Sequence, residues 1–408
     1  MIKVITGNEA AAYGALLSRP AVVCAYPITP ASRIVEQISE FYAQGLFKGK
    51  FVNVESEMGA IGYVIGASSG GVRVFTATGS QGLAWMYEGL HWAAGARLPI
   101  VMVNVNRPFG APWNLTSDQS DSLSQRDIGW MQFYCESNQE ILDTVIQAYR
   151  VSESVSLPSM VCLDGVYLSY LAESTEIPDQ EKVDKYLPPY KPTFFAGKVT
   201  STRYKLFDDL APAPGDYSLD DYMESRYILH KIQSTCLDNV LRANDEFREL
   251  FGRSYLPVEE YKSDDADIVL VCSGSAVGTA RYVIDRLRES GHKVGLIKLK
   301  MFRPFPKELV RKALSGRKKV AIIERDMIPG QGGIFCHEIK SALYGDRQFV
   351  PVYGFVSGLG GRDITPKLIE KAILFTMQEE PPESEVIWLG LEEKKVSDEY
   401  DKSTIKIY

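Results

Sequence analysis

The chain has 408 residues, of which 45% are hydrophobic and 24% are charged, and its formal net charge at pH 7 is −7. These values are typical of a globular protein that is long enough for two or three domains. Because the sequence has no run rich in Lys and Arg and no stretch approaching roughly 18 apolar residues, we expect neither a nucleic-acid partner nor a membrane span.

The six cysteines are scattered along the chain, and none belongs to a Cys-x-x-Cys pair. Iron–sulfur clusters and structural zinc sites typically use clustered cysteines, so we expect no metal site in this chain. We interpret most of the cysteines as small buried hydrophobic residues. Unclustered cysteines in a long chain, with an N-terminus that lacks the pattern of a secretory signal, predict a cytoplasmic protein.

Strand-like and helix-like segments alternate over residues 1–165, which predicts a parallel sheet covered on both faces by helices. The segment 98–106, LPIVMVNVN, has the nearly continuous apolar run expected of a central parallel strand. The predicted strands are 21–27, 51–55, 72–78, 98–106 and 157–165. The predicted helices are 7–19, 31–45, 58–71, 80–96 and 138–154.

The composition changes over residues 166–264, where proline, tyrosine and acidic residues are frequent. The stretches IPDQEKVDKYLPPYKP and APAPGDYSLDDY indicate an extended connector over the surface, and 222–252 is one long helical stretch ended by a glycine. A connector of this length indicates a domain boundary. The alternation restarts over 265–380 and predicts a second, smaller α/β domain, followed by a charged, partly loose tail at 381–408.

Three of the predicted strands end in loops of small and polar residues, with the sequences AYPITPAS, VESEMGAIG and TATGSQGL. The carboxyl ends of parallel strands meet at one edge of a sheet, where α/β proteins bind their ligands. We therefore expect these loops to form one site. The prolines around Ile28 and Thr29 fix the backbone, either as a rigid turn only or to present the Thr29 hydroxyl to a ligand.

Glu57 opens a helix of small residues and has two interpretations. It is either an ordinary carboxylate stabilised by the positive end of the helix, or a buried carboxyl group that shares a proton with a ligand nitrogen. The loop TATGSQGL also opens a helix and could bind an anion, but it lacks the lysine of a phosphate-binding loop. The glycine-rich stretches 330–333 and 357–363 are equally weak indications of an anion site. Neither has the spacing of a dinucleotide-binding motif, so we do not expect NAD.

Arg107 follows the central strand 98–106, at the same predicted edge as Thr29 and Glu57. An arginine there suits bidentate binding of a ligand carboxylate. The alternative is a salt bridge to an acidic residue of the polar stretch that follows. The candidates for that salt bridge are Asp118, Asp121 and Asp127.

Several longer motifs occur in a fixed order: YPITP, VESE before a small-residue helix, SQGL, Asn-Arg before Pro-Trp, DQSDSLSQRDIGW, FRPFP and YGFVSGLGGRD. Together they resemble the alpha subunits of 2-oxoacid:ferredoxin oxidoreductases, most closely the multi-subunit pyruvate enzymes, over nearly the whole chain. The resemblance implies a thiamine-diphosphate-binding parallel-sheet domain of the pyrimidine type, followed by a smaller transketolase-C-terminal-like α/β domain.

The resemblance also implies roles for individual residues. Glu57 occupies the position of the family's glutamate that contacts N1′ of the aminopyrimidine. Thr29 occupies the position of a threonine beside the substrate and the cofactor. Arg107 occupies the position of the arginine that binds the 2-oxoacid carboxylate. The other cofactor-binding residues implied are Pro27, Ile28, Ser80 and Gln81.

The implied activity, in anaerobic metabolism, is oxidative decarboxylation of pyruvate with coenzyme A to acetyl-CoA and CO₂, with electrons passed to ferredoxin. The sequence has no GDG…N motif for Mg²⁺ and diphosphate and no ferredoxin-like cysteine runs. The resemblance therefore implies a beta-type partner with the diphosphate, Mg²⁺ and a cluster, a delta-type partner with two more [4Fe-4S] clusters, and a gamma-type partner. We expect the chain to be inactive alone.

Two positions depart from the family pattern. Gln119 stands where related enzymes often have a histidine, and Gly79 stands where a serine is common. The identity of the 2-oxoacid substrate therefore stays open, with a branched-chain 2-oxoacid, phenylglyoxylate or oxalate as alternatives to pyruvate. Oxalate is disfavoured, because a site for this dianion is expected to have an extra cation near Thr29, and Thr29 is neutral. A different class of alternative is a non-catalytic structural subunit. Replacement of Glu57 would distinguish a catalytic subunit from a structural one, because only a catalytic subunit would lose turnover.

Overall fold

The computed structural model describes residues 1–192, 222–345, 349–380, 386–392 and 395. The strands are β1 (Ile2–Thr6), β2 (Val22–Ala25), β3 (Lys50–Asn53), β4 (Val74–Thr78), β5 (Val101–Asn106), β6 (Met131–Tyr134), β7 (Ser159–Asp164), β8 (Ala172–Glu176), β9 (Val258–Tyr261), β10 (Ile268–Cys272), β11 (Val294–Leu299), β12 (Met301–Arg303), β13 (Lys319–Glu324), β14 (Val352–Val356) and β15 (Ile387–Trp388).

The helices are α1 (Gly7–Leu17), α2 (Ser32–Ala43), α3 (Glu57–Ser69), α4 (Ser80–Trp85), α5 (Tyr87–Gly95), α6 (Ser120–Leu123), α7 (Asn138–Val155), α8 (Gln180–Tyr186), α9 (Tyr222–Phe251), α10 (Ala276–Glu289), α11 (Lys307–Leu314), α12 (Ile334–Leu343) and α13 (Pro366–Gln378). The predicted α/β class is confirmed, because the long strands of both parts of the chain pair in parallel.

The first sheet has the strand order β12-β6-β7-β5-β4-β2-β3, and only β12 runs antiparallel to its neighbour. Helices α1, α2 and α7 pack on one face through a core of alanines and aliphatic side chains. Helices α3 and α5 pack on the other face. Strand β5 lies at the centre and is buried along its whole length, as its apolar sequence predicts.

The second sheet has the order β15-β14-β13-β10-β11-β9, with β9 antiparallel to β11. Helices α10 and α13 cover one face. The other face shares one hydrophobic cluster with the α3 and α5 side of the first sheet, through the edge-to-face rings of Tyr134, Phe302 and Phe335. The two sheets are therefore packed on a common core.

A buried ionic cluster also joins the two sheets. Glu140 at the start of α7 forms salt bridges with Lys298 Nζ at 2.8 Å and with Lys300 Nζ at 3.0 Å. All three side chains are almost completely buried. Thr144 Oγ1 accepts a further hydrogen bond from Lys300 at 2.7 Å. The lysines come from β11 and from the residue before β12, so this cluster fixes the register of the second part of the chain on the first.

The prediction for 166–264 is an extended connector plus a long helix. The helix is present as α9, whereas residues before 193 form β8 and α8 and are not simply extended. Strand β8 pairs with β1, and α8 buries Val183 and Tyr186 against α9, where the Tyr186 ring meets Phe247. Strand β9, before residue 265, belongs to the second sheet, whereas β12, after it, belongs to the first. The predicted connector over 193–221 and most of the predicted loose tail lie outside the described residues.

Candidate functional site

The site lies at the carboxyl edge of the first sheet. Strands β5, β4, β2 and β3 are adjacent and parallel in that order, so the loops that follow them lie side by side. Arg107 follows β5, Ser80 follows β4, Thr29 follows β2 and Glu57 follows β3. The structure thus brings the candidates from separate parts of the sequence to one edge.

Glu57 is the first residue of α3 and is 4% exposed, whereas Glu55, two residues earlier, is exposed. Ser56 caps the helix, because its hydroxyl accepts the N–H of Gly59 at 3.1 Å. The capping position is therefore occupied by Ser56 and not by Glu57. Within the described part of the chain the Glu57 carboxylate has no hydrogen-bond partner, so it is available to a ligand.

Gly82 in α4 faces the Glu57 carboxylate. A Cβ added at Gly82 would lie 2.6 Å from Glu57 Oε1 and 2.6 Å from Thr78 Oγ1. Thr78 Oγ1 is itself buried with no hydrogen-bond partner in the described structure. The glycine therefore lets the Glu57 carboxylate and the Thr78 hydroxyl lie where a side chain at position 82 would otherwise be. Both groups keep hydrogen-bonding capacity that a ligand could use.

The loop after β2 presents Thr29 with an exposed side chain, and Pro27 is exposed beside it. Ile28 is half-buried and packs against the core of α1 and α2. Asn8 Nδ2 donates to the carbonyl of Pro30 at 2.8 Å and fixes the end of the loop. Thr29 is therefore held on a firm loop with its hydroxyl free to reach a ligand.

Arg107 is 4% exposed, and its guanidinium is held by carbonyl groups. Nη1 donates to the Thr29 carbonyl at 2.8 Å, and Nε donates to the Asn114 carbonyl at 2.8 Å. The Trp113 ring centroid lies 5.6 Å from the guanidinium carbon. Burial lowers the pKa of Arg107 from its usual value, while the charge of Asp121 opposes that shift. No salt bridge to an acidic side chain holds Arg107 within the described residues.

Asp121 is the acidic residue nearest to Arg107, but it contacts the backbone and not the guanidinium. Its carboxylate accepts the N–H of Arg107 at 3.2 Å and the N–H of Ser80 at 2.8 Å. The side-chain amides of Asn104 and Asn106 donate to it at 3.1 and 2.7 Å. Burial raises the pKa of Asp121 to about 6, although these donors oppose the shift. Asp121 therefore ties the end of β5 to the start of α4.

Sequence analysis missed the roles of Asn104 and Asn106. They are two polar residues at alternate positions of an otherwise apolar central strand, so they lie on the same face of the sheet. That alternation was the available signal. Both side chains converge on Asp121, which sequence analysis considered only as a salt-bridge partner.

Ser80 donates its hydroxyl to the Pro108 carbonyl at 2.6 Å and to Gln81 Oε1 at 2.7 Å. Both the hydroxyl and the N–H of Ser80 are therefore engaged within the protein, and they fix the start of α4 beside Gln81. A Cβ at Gly79 would lie 2.4 Å from the Val105 carbonyl oxygen, so a serine here would need a small shift between the start of α4 and β5.

Gln119, the second departure, points toward the second part of the chain. Its Nε2 donates to Asp164 Oδ1 at 3.0 Å, and its N–H donates to the Arg325 carbonyl at 2.8 Å. Neither contact reaches Glu57, Thr29 or Arg107.

The glycine stretch 330–333 precedes α12, but the start of that helix is occupied by carboxylates. Glu324 Oε2 accepts the N–H of Phe335 at 2.8 Å, and Asp326 Oδ1 accepts that of Ile334 at 2.7 Å. An anion site is therefore excluded there. Across residues 1–192, 222–345, 349–380 and 386–392, no group of three or more His, Cys, Asp or Glu side chains is placed to hold a metal ion, and no helix is long and apolar enough to cross a membrane.

Two family models match the chain. The model described as "Pyruvate flavodoxin/ferredoxin oxidoreductase, thiamine diP-bdg" matches residues 13–231, which is more than half of the chain, and "Pyruvate:ferredoxin oxidoreductase core domain II" matches residues 266–369. The two matches follow each other in the order of the two sheets.

Relatives with curated names match over nearly the full chain. Pyruvate synthase subunit PorA of Methanothermobacter thermautotrophicus is 47% identical over 97% of this chain and 99% of its own length. Ketoisovalerate oxidoreductase subunit VorA of Pyrococcus horikoshii is 45% identical over 92% of this chain and 93% of its own. Pyruvate synthase subunit PorA of Pyrococcus furiosus is 42% identical over 95% of this chain and 98% of its own length.

Solved structures share the fold. The 2-oxoglutarate:ferredoxin oxidoreductase from Magnetococcus marinus, with 2-oxoglutarate, coenzyme A and succinyl-CoA bound, superimposes with a TM-score of 0.70 at 23% identity. The match covers 92% of this chain and 65% of that one. A split-gene transketolase, as an inactive beta4 tetramer, superimposes with a TM-score of 0.54 at 12% identity over 92% of this chain. These two likenesses concern the fold alone.

Proposed function

The chain belongs to the pyruvate flavodoxin/ferredoxin oxidoreductase family, and we propose from that premise that it is the alpha subunit of a thiamine-diphosphate-dependent 2-oxoacid:ferredoxin oxidoreductase. The reaction is the oxidative decarboxylation of pyruvate with coenzyme A to acetyl-CoA and CO₂, with ferredoxin as electron acceptor. The pyruvate synthase relatives support pyruvate, and the ketoisovalerate relative at 45% identity supports a branched-chain 2-oxoacid as the second candidate.

The observation on which the proposal rests is the state of Glu57. Its carboxylate is buried at the start of α3, has no partner within the described residues, and faces a glycine and an unpaired threonine hydroxyl. A carboxylate whose hydrogen-bonding capacity the protein leaves unused can accept a hydrogen bond from a ligand. A protonated ring nitrogen is such a ligand, so the residues fit the aminopyrimidine end of thiamine diphosphate.

Thiamine diphosphate, when bound, supplies the carbanion chemistry that decarboxylation of a 2-oxoacid needs. In this proposal Glu57 exchanges a proton with the aminopyrimidine ring at its carboxylate, and the absence of a side chain at Gly82 lets that carboxylate keep its place. Arg107 binds the carboxylate of the 2-oxoacid through the guanidinium edge that its carbonyl partners leave open. Thr29 donates a hydrogen bond from the same loop edge. The other pocket residues proposed are Pro27, Ile28, Ser80 and Gln81.

We assign the diphosphate, Mg²⁺ and a cluster to a beta-type partner chain and two more [4Fe-4S] clusters to a delta-type chain, with a gamma-type chain completing the complex. Large apolar side chains beside the site support docking of a partner there. Met58 follows Glu57 and is 37% exposed, Trp113 beside Arg107 is 72% exposed, and Trp85 ends α4 with an exposed ring. The scattered cysteines, none of them in a Cys-x-x-Cys pair, support a cytoplasmic location.

Residues 1–165 form the pyrimidine-type domain of this proposal, and residues 265–380 form the transketolase-C-terminal-like domain. The family match at 266–369 supports the second of these domains, and the match at 13–231 contains most of the first and extends into α9. The long helix α9 and the segment before it connect the two.

Substitution of Glu57 tests the proposal in the purified complex. General acid–base catalysis contributes about 10²–10⁴-fold, so Glu57→Gln should lower turnover of pyruvate by at least about 100-fold. Glu55→Gln is the matched control, because Glu55 is the same residue type two positions away and is exposed. Its turnover should stay at the wild-type level. If Glu57→Gln kept turnover within about threefold of wild type, the proton-exchange role would be wrong.

A further inference from the structure

Asn114 connects Arg107 to the second part of the chain. Its backbone carbonyl accepts Arg107 Nε at 2.8 Å. Its side-chain Nδ2 donates to the Gly360 carbonyl at 2.7 Å, and its Oδ1 accepts the N–H of Thr116 at 2.8 Å. The amide side chain therefore helps to fix the backbone whose carbonyl holds the guanidinium.

The partner of Asn114 is a tight glycine turn, Leu359–Gly361, that follows β14. Gly360 and Gly361 have φ angles of 59° and 74°, which favour glycine. A Cβ at Gly360 would lie 2.7 Å from Asn114 Nδ2. Gly361 donates its N–H to the Ser117 carbonyl at 2.7 Å. The glycine turn therefore contacts the segment that follows Arg107. A side chain at Gly360 would displace Asn114.

We propose that Asn114 is a positioning residue, which transmits the position of the 359–361 turn to the guanidinium of Arg107 and thereby sets the affinity for the 2-oxoacid. This inference rests on the proposed role of Arg107 in binding the substrate carboxylate. Planar, bidentate recognition of a carboxylate depends on the orientation of the guanidinium. The second α/β region therefore contributes to substrate binding without touching the substrate.

The test uses the assembled complex with all its subunits, pyruvate as the varied substrate and Asn114→Ala. Loss of one hydrogen bond of ordinary strength corresponds to about a fivefold change. We expect KM for pyruvate to rise about fivefold with kcat within about twofold of wild type, since the loss affects substrate and transition state alike. KM for coenzyme A should not change. A merely structural defect would instead lower the amount of active complex, and hence the apparent kcat, without changing KM.

A double-mutant cycle with Arg107→Met shows whether Asn114 acts through Arg107. Arg107→Met should raise KM for pyruvate, and adding Asn114→Ala to it should change KM by less than about twofold. Equal effects of Asn114→Ala in both backgrounds would overturn the inference, as would an unchanged KM in the single variant. If Arg107→Met itself left KM unchanged, the proposed role of Arg107 would fall, which is a separate result.

Gly360→Ala examines the same connection from the other side, and it serves if Asn114→Ala does not assemble. It should raise KM for pyruvate in the same direction, because the new Cβ displaces Asn114 Nδ2. Gly316→Ala is its matched control: Gly316 also has a positive φ, of 78°, but nothing lies within 4 Å of its Cβ position. Equal KM values for the two variants would contradict the inference.

Discussion

Gly82→Ala perturbs the candidate site at its narrowest point without removing a functional group. The new Cβ would lie 2.6 Å from both Glu57 Oε1 and Thr78 Oγ1, and 2.9 Å from Glu57 Cγ. Gly82 is buried in α4. The substitution therefore acts on the position of the Glu57 carboxylate and leaves its charge unchanged.

The size of the effect follows from these distances. An ordinary van der Waals separation is about 3.5 Å, so the carboxylate has to move by roughly 1 Å. A misplacement of about 1 Å at a catalytic group can cost about 100-fold in rate. We therefore expect kcat for pyruvate to fall by about 100-fold, close to the effect of Glu57→Gln itself.

The assay is pyruvate-dependent reduction of ferredoxin by the assembled complex, with thiamine diphosphate titrated to saturation. Gly278→Ala in α10 is the control, because no atom lies within 4 Å of its Cβ position and the change is otherwise identical. That control should turn over at the wild-type rate. If Gly82→Ala also turned over within about threefold of wild type, the Glu57 carboxylate would not lie at the reacting centre.

Two further predictions concern the partners and the contact between the sheets. The chain purified without partners should show no 2-oxoacid-dependent reduction of a viologen dye, and measurable turnover would contradict the assignment of the clusters to partner chains. Glu140→Gln should lower the free energy of unfolding by about 3 kcal/mol, because it removes the carboxylate that Lys298 and Lys300 share, although Lys298 keeps Glu259 at 3.1 Å. Burial raises the pKa of Glu140, but the two lysines outweigh it and hold the pKa at about 2. Because this value is below the ordinary 4.5, the stabilisation is complete above pH 4.5 and is lost toward pH 2, so denaturation curves of wild type and variant should converge over that range. A constant difference there would contradict the ionic origin.

Local patterns predicted much of the fold. The alternation of apolar strands and helices identified the parallel sheet, and the apolar run over 98–106 identified its central strand. The predicted single helix over 80–96 is two helices that meet at Met86. Strand β6 was not predicted, because it has four residues and is completed by β12, which is more than 160 residues later in the chain.

Part of the candidate site could likewise be predicted from local sequence patterns, and part could not. Glu57, Thr29 and Arg107 could be placed at one sheet edge because each follows a strand. The roles of Asp121 and Asn114 could not be predicted, because they depend on hydrogen bonds across the tertiary structure. Asn114 meets Gly360, which is 246 residues away in sequence. Local periodicity contains no information on such a contact.

The most direct test of the central claim is an experimental structure of the assembled complex with thiamine diphosphate bound. We expect N1′ of the aminopyrimidine to lie within about 2.6–3.2 Å of the Glu57 carboxylate, with Gly82 beside the ring. We also expect the diphosphate to contact a partner chain. An aminopyrimidine ring bound against another carboxylate, with Glu57 unpartnered, would contradict the account.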